Sequence, residues 1–179
     1  MTSASAVAMA AGLVNLLAGR GERNPVVLHV GDRAPDFVLP GSDGQMHRLG
    51  DLAGRSAVVI AWFPRAFTGG CTVECRSITS AAEVLKRYEV CCFAASVDRP
   101  EVNRQFAEAL NLGYPVLSDP TREVARRYGV LGPAGFARRW TFYIDADARL
   151  RAIDRTVRVG SHGSDMAATL DRLKVPRKT

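Results

Sequence analysis

The sequence has no long apolar run. A membrane-spanning helix needs about 18 or more consecutive apolar residues, and polar or charged residues interrupt every apolar run of this 179-residue chain before that length. The four cysteines are too few for a fold held by disulfide bonds, and a chain of this size does not need them. These absences argue against a membrane channel and against a disulfide-stapled scaffold.

A strong excess of charge of one sign is also missing. Lysine and arginine total 24 and aspartate and glutamate total 18, which leaves a net charge of +6. The arginines are scattered, and the one short basic cluster lies at residues 174–179, so the pattern favours neither nucleic-acid binding nor a membrane-surface patch. With 47% hydrophobic residues, the chain is typical of a single globular domain.

The first residues of the chain differ from the rest in composition. Residues 1–24 are rich in alanine and carry no charge before Arg20. No basic segment precedes the apolar residues, which disfavours a secretory signal, and Gly21 and Pro25 are residues that end a helix. We predict an N-terminal helix or loose arm over residues 1–25 and one domain over residues 26–179.

The rest of the sequence predicts strands that alternate with helices. Residues 57–63 form a continuous apolar run stopped by Pro64, which is typical of a central strand buried on both faces. Residues 71–88 carry their apolar side chains on one helix face. Further strands are predicted over 26–30, 90–97 and 114–117, helices over 101–110, 121–128 and 164–173, and hairpins joining 37–39 to 46–49 and 140–144 to 150–153. This order predicts an α/β domain whose mixed central sheet has helices on both faces.

A cysteine at the predicted start of a helix is the first candidate for chemistry. Cys71 follows the central strand after a short loop that contains Gly69 and Gly70. The positive N-terminal end of a helix, together with a nearby arginine, stabilises a thiolate and makes it a nucleophile. The hydroxyl of Thr68 would either cap the helix or face a bound oxygen.

The spacing Pro-x-x-x-Thr-x-x-Cys over residues 64–71 resembles the active-site signature of the peroxiredoxins. Residues 31–40 resemble the opening segment of that family, residues 71–74 continue the pattern of its bacterioferritin-comigratory (Q-type) group, and residues 139–145 resemble its arginine-bearing strand. The resemblance covers residues 30–173. It implies a thioredoxin-like fold and a peroxidase that reduces hydrogen peroxide and organic hydroperoxides with no metal and no organic cofactor.

The resemblance also implies a role for each matching residue. Cys71 would be the peroxidatic cysteine, whose thiolate takes the terminal oxygen of a hydroperoxide and becomes a sulfenic acid. Thr68 and the backbone amide of Cys71 would hold the peroxide, and Pro64 would shield the sulfenic acid from water. Arg139 would stabilise the thiolate and the charge that develops on the leaving oxygen. Glu74 orients the active-site arginine in the resembled family.

The roles of the arginine and of Glu74 each have a second interpretation. Arg138 and Arg139 are neighbours in an extended segment, so their side chains face opposite ways and one of them reaches the thiol. The spacing to the following strand selects Arg139 and leaves Arg138 in solvent. Glu74 lies in the first turns of the predicted helix, where a carboxylate is stabilised by the helix N-terminus without any catalytic role.

A catalytic cycle needs a second thiol to resolve the sulfenic acid. Cys75 lies on nearly the same helix face as Cys71, about 6 Å further along the axis at ~1.5 Å per residue. A disulfide between them would require the first helical turn to unwind, which Gly69 and Gly70 make easier. The Q-type relatives often carry this cysteine one position later, where this chain has Arg76.

The remaining cysteines are more simply explained as packing residues. Cys91 and Cys92 are adjacent in the predicted strand over residues 90–97, so their side chains face opposite sides of the sheet. If no internal pair forms, an external thiol would reduce Cys71 directly, as in one-cysteine peroxiredoxins. The resemblance further implies thioredoxin as the electron donor, a cytoplasmic location, and a monomer or homodimer.

The pair Cys71-x-x-x-Cys75 also resembles the copper-binding Sco proteins, which add a later histidine to two thiolates. Soft thiolates and imidazole suit copper. That family places its histidine just before the strand that here follows Arg139, and in this chain only His162 comes after the cysteine pair. Its Gly-Ser-His-Gly loop is a setting in which helix capping or solvent contact is the commoner role. A Sco-like copper protein using Cys71, Cys75 and a histidine is the alternative function.

Overall fold

The computed structural model describes residues 26–178, so the predicted arm over residues 1–25 lies outside the described residues. The strands are β1 (Val38–Pro40), β2 (Met46–Arg48), β3 (Ala57–Trp62), β4 (Val90–Ser96), β5 (Val116–Ser118), β6 (Thr141–Ile144) and β7 (Leu150–Asp154). The helices are α1 (Leu49–Leu52), α2 (Gly69–Ser80), α3 (Ala82–Leu85), α4 (Pro100–Leu110), α5 (Glu123–Arg127) and α6 (His162–Arg172). Within these residues, no helix is both long and apolar enough to cross a membrane.

Five strands form one mixed sheet in the order β5-β4-β3-β6-β7. β4 runs parallel to β3 and β5 runs parallel to β4, whereas β6 is antiparallel to both β3 and β7. The uninterrupted apolar run of residues 57–63 places β3 at the centre, with Val58 to Trp62 all buried. β1 and β2 pair separately as the predicted antiparallel hairpin.

Helices cover both faces of this sheet because β3 and β4 send apolar side chains to both sides. On one face, Val59 and Ala61 pack with side chains of α2 and α6. On the other face, Val58, Ile60 and Trp62 pack with side chains of α1 and α5. The predicted α/β architecture with a mixed central sheet is confirmed.

Two predicted elements differ from the observed ones. The helix expected over residues 71–88 is broken at Ala81, whose φ of −91° and ψ of 2° leave the α-helical region; its amide donates to the carbonyls of both Ser77 and Ile78. The strand expected over residues 26–30 is wrong. Val26, Val27 and Val30 are exposed and Leu28 is partly buried against the core, but the run pairs with no strand in the described part of the chain.

The start of α6 packs very closely against α2. A Cβ atom at Gly163 would overlap the backbone carbonyl of Ser77, so a residue with a side chain does not fit there. The amide of Gly163 donates to the Ser77 hydroxyl at 3.1 Å, and that hydroxyl donates to the carbonyl of Gly160 at 3.2 Å. This close contact brings His162, the first residue of α6, onto the inner side of α2.

Candidate active site

The loop between β3 and α2 positions the start of the helix. Phe67 has a positive φ of 60°, a left-handed turn that directs the chain into α2, and the amide of Ala66 donates to the Asp98 carboxylate at 2.8 Å. Thr68 is the N-cap residue in an extended conformation, but its hydroxyl donates to the carbonyl of Arg65 at 3.0 Å and makes no capping bond. The first turn of α2 therefore lacks a side-chain cap.

The N-terminal turn of α2 presents backbone amides beside Cys71. The amide of Thr72 donates to the carbonyl of Thr68 at 2.9 Å, whereas the amides that precede it lie in the first turn and have no partner within the helix. Cys71 is 1% exposed and packs with Phe63 and Phe106. The sulfur thus lies in an apolar setting at the positive end of a helix, where a negative charge is stabilised.

Arg139 reaches this sulfur from a bend just before β6 rather than from the expected extended segment, because the amide of Trp140 donates to the carbonyl of Arg138 at 3.1 Å. Its Nη2 lies 3.3 Å from Sγ of Cys71, and Nη1 donates to Oε2 of Glu74. Arg138 is exposed and lies over the ring of Trp140 at 5.4 Å. The guanidinium of Arg139 therefore joins the thiol on one side to a buried carboxylate on the other.

Glu74 is 1% exposed although it carries a carboxylate. Besides Arg139, its neighbour is His162, whose Nδ1 lies 3.0 Å from Oε1 of Glu74. Nε2 of His162 lies 2.8 Å from Oγ1 of Thr141. The expectation that His162 caps a helix or meets solvent is wrong, because the imidazole is fully buried.

His162 and Thr141 are members of this cluster that the sequence did not reveal. Both lie far from Cys71 along the chain. His162 belongs to no recognisable spacing, and Thr141 lies in the segment 139–145 that resembles the arginine-bearing strand but had no role predicted for it. The one local sign is the sequence Ser161-His162-Gly163, in which a small residue on each side of the histidine permits close packing. Glu74 becomes the neighbour of His162 because α6 packs against α2.

Cys75 lies one helical turn beyond Cys71 and is fully buried in the same apolar cluster. Burial raises the pKa of its thiol to about 12. The hydroxyl of Tyr114 donates to the backbone carbonyl of Cys75 at 2.9 Å. Both cysteines are free thiols, and in the intact helix Cys75 is a neutral thiol with no access to solvent.

Cys91 and Cys92 lie in β4 beside Val58 and Val59 of β3. They pack against opposite faces of the sheet, and both are half-buried rather than fully buried. Burial raises the pKa of Cys92 to about 12. Neither belongs to the apolar cluster that holds Cys71.

Many known proteins are similar to this chain in sequence or in structure. The sequence profile of the AhpC/TSA family matches residues 30–153. Peroxiredoxin Bcp of Escherichia coli strain K12 is 33% identical over 142 residues, covering 75% of this chain and 90% of that protein. The crystal structure of peroxidoxin BcpB from Mycobacterium tuberculosis is similar with a TM-score of 0.74 and 30% identity, covering 82% of this chain and 98% of that one.

A solved structure of the Xanthomonas campestris bacterioferritin comigratory protein has the same fold. Its TM-score is 0.73 at 22% identity, covering 82% of this chain and 97% of that chain. The Xanthomonas protein has alkyl peroxide reduction activity, and its structures include a trapped intermediate and a ligand complex. At this level of identity, the likeness bears on the fold alone.

The chain belongs to the AhpC/TSA family. Within that family it is a peroxiredoxin of the bacterioferritin-comigratory (Q-type) group, with a thioredoxin-like fold and thiol peroxidase activity. The comparisons do not support the Sco-like alternative. Among residues 26–178, no three histidine, cysteine, aspartate or glutamate side chains are grouped to hold a metal ion, and His162 faces Glu74 and Thr141 instead.

Proposed function

We propose that Cys71 is the peroxidatic cysteine of this thiol peroxidase. Its thiolate attacks the terminal oxygen of a hydroperoxide; the S–O bond forms as the O–O bond breaks, and the leaving oxygen takes a proton and departs as water or alcohol. Cys71 is left as a sulfenic acid. The observation that carries the proposal is the 3.3 Å contact between Nη2 of Arg139 and Sγ of Cys71 at the N-terminus of α2, where two sources of positive potential meet at one sulfur.

The groups around the sulfur have complementary parts in this reaction. The Thr68 hydroxyl donates its proton to Arg65, so its oxygen is left to accept the O–H of the peroxide. The backbone amide of Cys71 donates to the peroxide oxygen, and Arg139 stabilises the negative charge on the leaving oxygen. Pro64 is half-buried beside this loop and has no N–H, so it shields the sulfenic acid without attracting water.

Replacing Thr68 with valine is expected to lower kcat/KM for hydrogen peroxide about a hundredfold, a typical loss when one such hydrogen-bonding group is removed. Valine keeps the branched shape but has no oxygen to accept the peroxide proton. Stopped-flow oxidation of reduced protein measures the effect, and Thr68→Ser, which keeps the hydroxyl, serves as the matched control. A valine variant as fast as the wild type would remove Thr68 from the reaction.

We further propose that Cys75 resolves the sulfenic acid. Once exposed, the Cys75 thiol gives its proton to water and its thiolate attacks the sulfur of Cys71; the S–S bond forms as the S–O bond breaks, and the departing hydroxide takes up a proton and leaves as water. Because Cys75 is fully buried, the first turn of α2 must unwind before the two sulfurs can meet at disulfide geometry. That turn has no side-chain cap, and its first residues, Gly69 and Gly70, are exposed, so unwinding requires little free energy.

Treatment of the reduced protein with one equivalent of hydrogen peroxide is expected to produce a Cys71–Cys75 disulfide. Peptide mapping by mass spectrometry under non-reducing conditions detects it. Cys75→Ser is expected to complete the first turnover, stop at a sulfenic acid on Cys71 and lose recycling by thioredoxin, whereas the matched Cys92→Ser variant should cycle normally. A lasting sulfenic acid in the wild type would make the enzyme a one-cysteine peroxidase, and an unreacted Cys71 would overturn its peroxidatic role.

The family supports the proposed reductant, and an apolar side chain in the loop before Cys71 supports the proposed substrate class. We propose a dithiol reductant of the thioredoxin type, which implies a reducing compartment such as the cytoplasm. Organic hydroperoxides are proposed as substrates beside hydrogen peroxide because Phe67, four residues before Cys71, is 56% exposed. Its ring packs edge-on against Phe106 at 5.2 Å and offers an apolar surface to an alkyl group.

A further inference from the structure

His162 is a fully buried imidazole at the start of α6. Its ring has Thr141 on one side, with 2.8 Å between Nε2 and Oγ1, and Glu74 on the other, with 3.0 Å between Nδ1 and Oε1. Within residues 26–178, neither Nδ1 of His162 nor Oε1 of Glu74 makes a well-aligned hydrogen bond to any group, and their 3.0 Å approach is a close polar contact. Buried polar atoms are seldom left without partners. The close approach of these two atoms is therefore the contact that offsets the cost of burying each of them.

The proton on the imidazole can be assigned from these neighbours. Burial lowers the pKa of His162 to about 4, so the ring is neutral near pH 7 and has one N–H and one acceptor nitrogen. Thr141 has a hydroxyl that can donate to Nε2, whereas the carboxylate of Glu74 can only accept. The N–H therefore belongs on Nδ1, because the other tautomer would place two acceptors 3.0 Å apart.

Glu74 is thus approached from two sides. Arg139 lies at a bend two positions before Thr141, the first residue of β6. Arg139 donates directly to Oε2 of Glu74, and Thr141 reaches Oε1 through the ring of His162. Rotation of the carboxylate would break both contacts, and the second of them fixes Glu74 without using any donor of Arg139.

We propose that His162 is a positioning residue of the peroxidase reaction, which holds Glu74 so that Arg139 remains directed at the sulfur of Cys71. This inference rests on the roles proposed above for Cys71 and Arg139. His162 does not contact the sulfur and acts through Glu74. A neutral imidazole suits the task, because it orients the carboxylate without cancelling the negative charge that attracts Arg139.

Replacing His162 with leucine is expected to slow single-turnover oxidation of Cys71 by hydrogen peroxide about tenfold, because the buried contact that orients Glu74 is lost and Arg139 is less well aligned with the sulfur. The rate of Cys71 alkylation by iodoacetamide is expected to rise with pH along a curve whose midpoint lies higher than in the wild type, since Arg139 is less well placed to stabilise the thiolate. His162→Asn, which retains a donor near the position of Nδ1, should recover most of the rate and of the midpoint.

A double-variant cycle separates positioning from general packing. If His162 acts through Glu74, His162→Leu should cause little further loss of rate when Glu74 is already glutamine, because the ion pair with Arg139 through which His162 acts no longer exists. Met166→Leu is the matched packing control, since Met166 is a buried residue of the same helix outside the cluster. It is expected to lower thermal stability without changing the alkylation midpoint.

Two results with the His162→Leu variant would overturn the proposed positioning role. Wild-type rate and midpoint in His162→Leu, or full additivity with Glu74→Gln, would overturn it while the proposed function stands. If His162→Leu does not fold, Thr141→Val carries the test: it removes the partner of Nε2 with little change of shape and should raise the midpoint in the same direction. A wild-type protein whose Cys71 is not oxidised by peroxide would instead overturn the proposed function.

Discussion

The Cys71→Ser variant is expected to consume hydrogen peroxide no faster than the uncatalysed reaction. A serine hydroxyl is not ionised near neutral pH and cannot accept the peroxide oxygen to form a sulfenic acid, so the first bond of the cycle cannot form. The fold should persist, because serine is close in size and its oxygen can still accept from Nη2 of Arg139, which lies 3.3 Å from the sulfur. Peroxide consumption with thioredoxin and its reductase measures the loss.

Cys91→Ser is the matched control for this experiment. Cys91 is half-buried, lies in β4, and has its sulfur 3.5 Å from the hydroxyl of Ser56, outside the cluster around Cys71. Its replacement is expected to leave the peroxidase rate unchanged. Activity retained by Cys71→Ser, or lost in Cys91→Ser, would show that the reacting sulfur is not that of Cys71.

The central part of the fold was predictable because its signals are local and strong. The apolar run over residues 57–63 has no polar position to face solvent, so it had to be a strand covered on both sides, and β3 is that strand. The end of the helix predicted over residues 71–88 was harder to predict. Nothing in its periodicity marks Ala81, where the amide bonds to two carbonyls and the helix ends. Element ends depend on packing that the sequence does not display.

The short run over residues 26–30 was predicted as a strand, and the structure has no strand there. Its β-branched residues favour a strand, yet a strand needs a neighbour that supplies hydrogen bonds. Here the segment is tied by separate contacts instead, such as the guanidinium of Arg155 donating to the carbonyl of Leu28 at 3.0 Å. Propensity alone could not show whether a sheet edge was free to receive it.

The candidate site likewise contains some residues that the sequence could predict and others that it could not. Thr68, Cys71 and Glu74 are close in sequence, so a spacing can predict that they share a loop and a helix turn. The contact between Glu74 and His162 spans 162 − 74 = 88 positions and exists because Gly163 lets α6 approach α2. Such a contact leaves no periodic trace in the chain, which explains why helix capping or solvent contact was the role predicted for His162.

Replacing Arg139 with methionine is expected to lower both activity and stability. The peroxide rate should fall about a hundredfold or more, because the guanidinium that stabilises the thiolate and the leaving oxygen is lost. The free energy of unfolding should fall by about 3–5 kcal/mol, because Glu74 is left as a buried carboxylate without its cationic partner. Stopped-flow oxidation measures the first effect and chemical denaturation the second.

The double variant Arg139→Met/Glu74→Gln separates these two consequences. Glutamine at position 74 removes the buried charge, so much of the lost stability should return. The rate should not return, since no cation faces Cys71 in either variant. Recovery of the rate together with the stability would mean that Arg139 serves only to neutralise Glu74. Stability regained without rate would identify the guanidinium as part of the chemistry at the sulfur, with Glu74 as the residue that fixes its position.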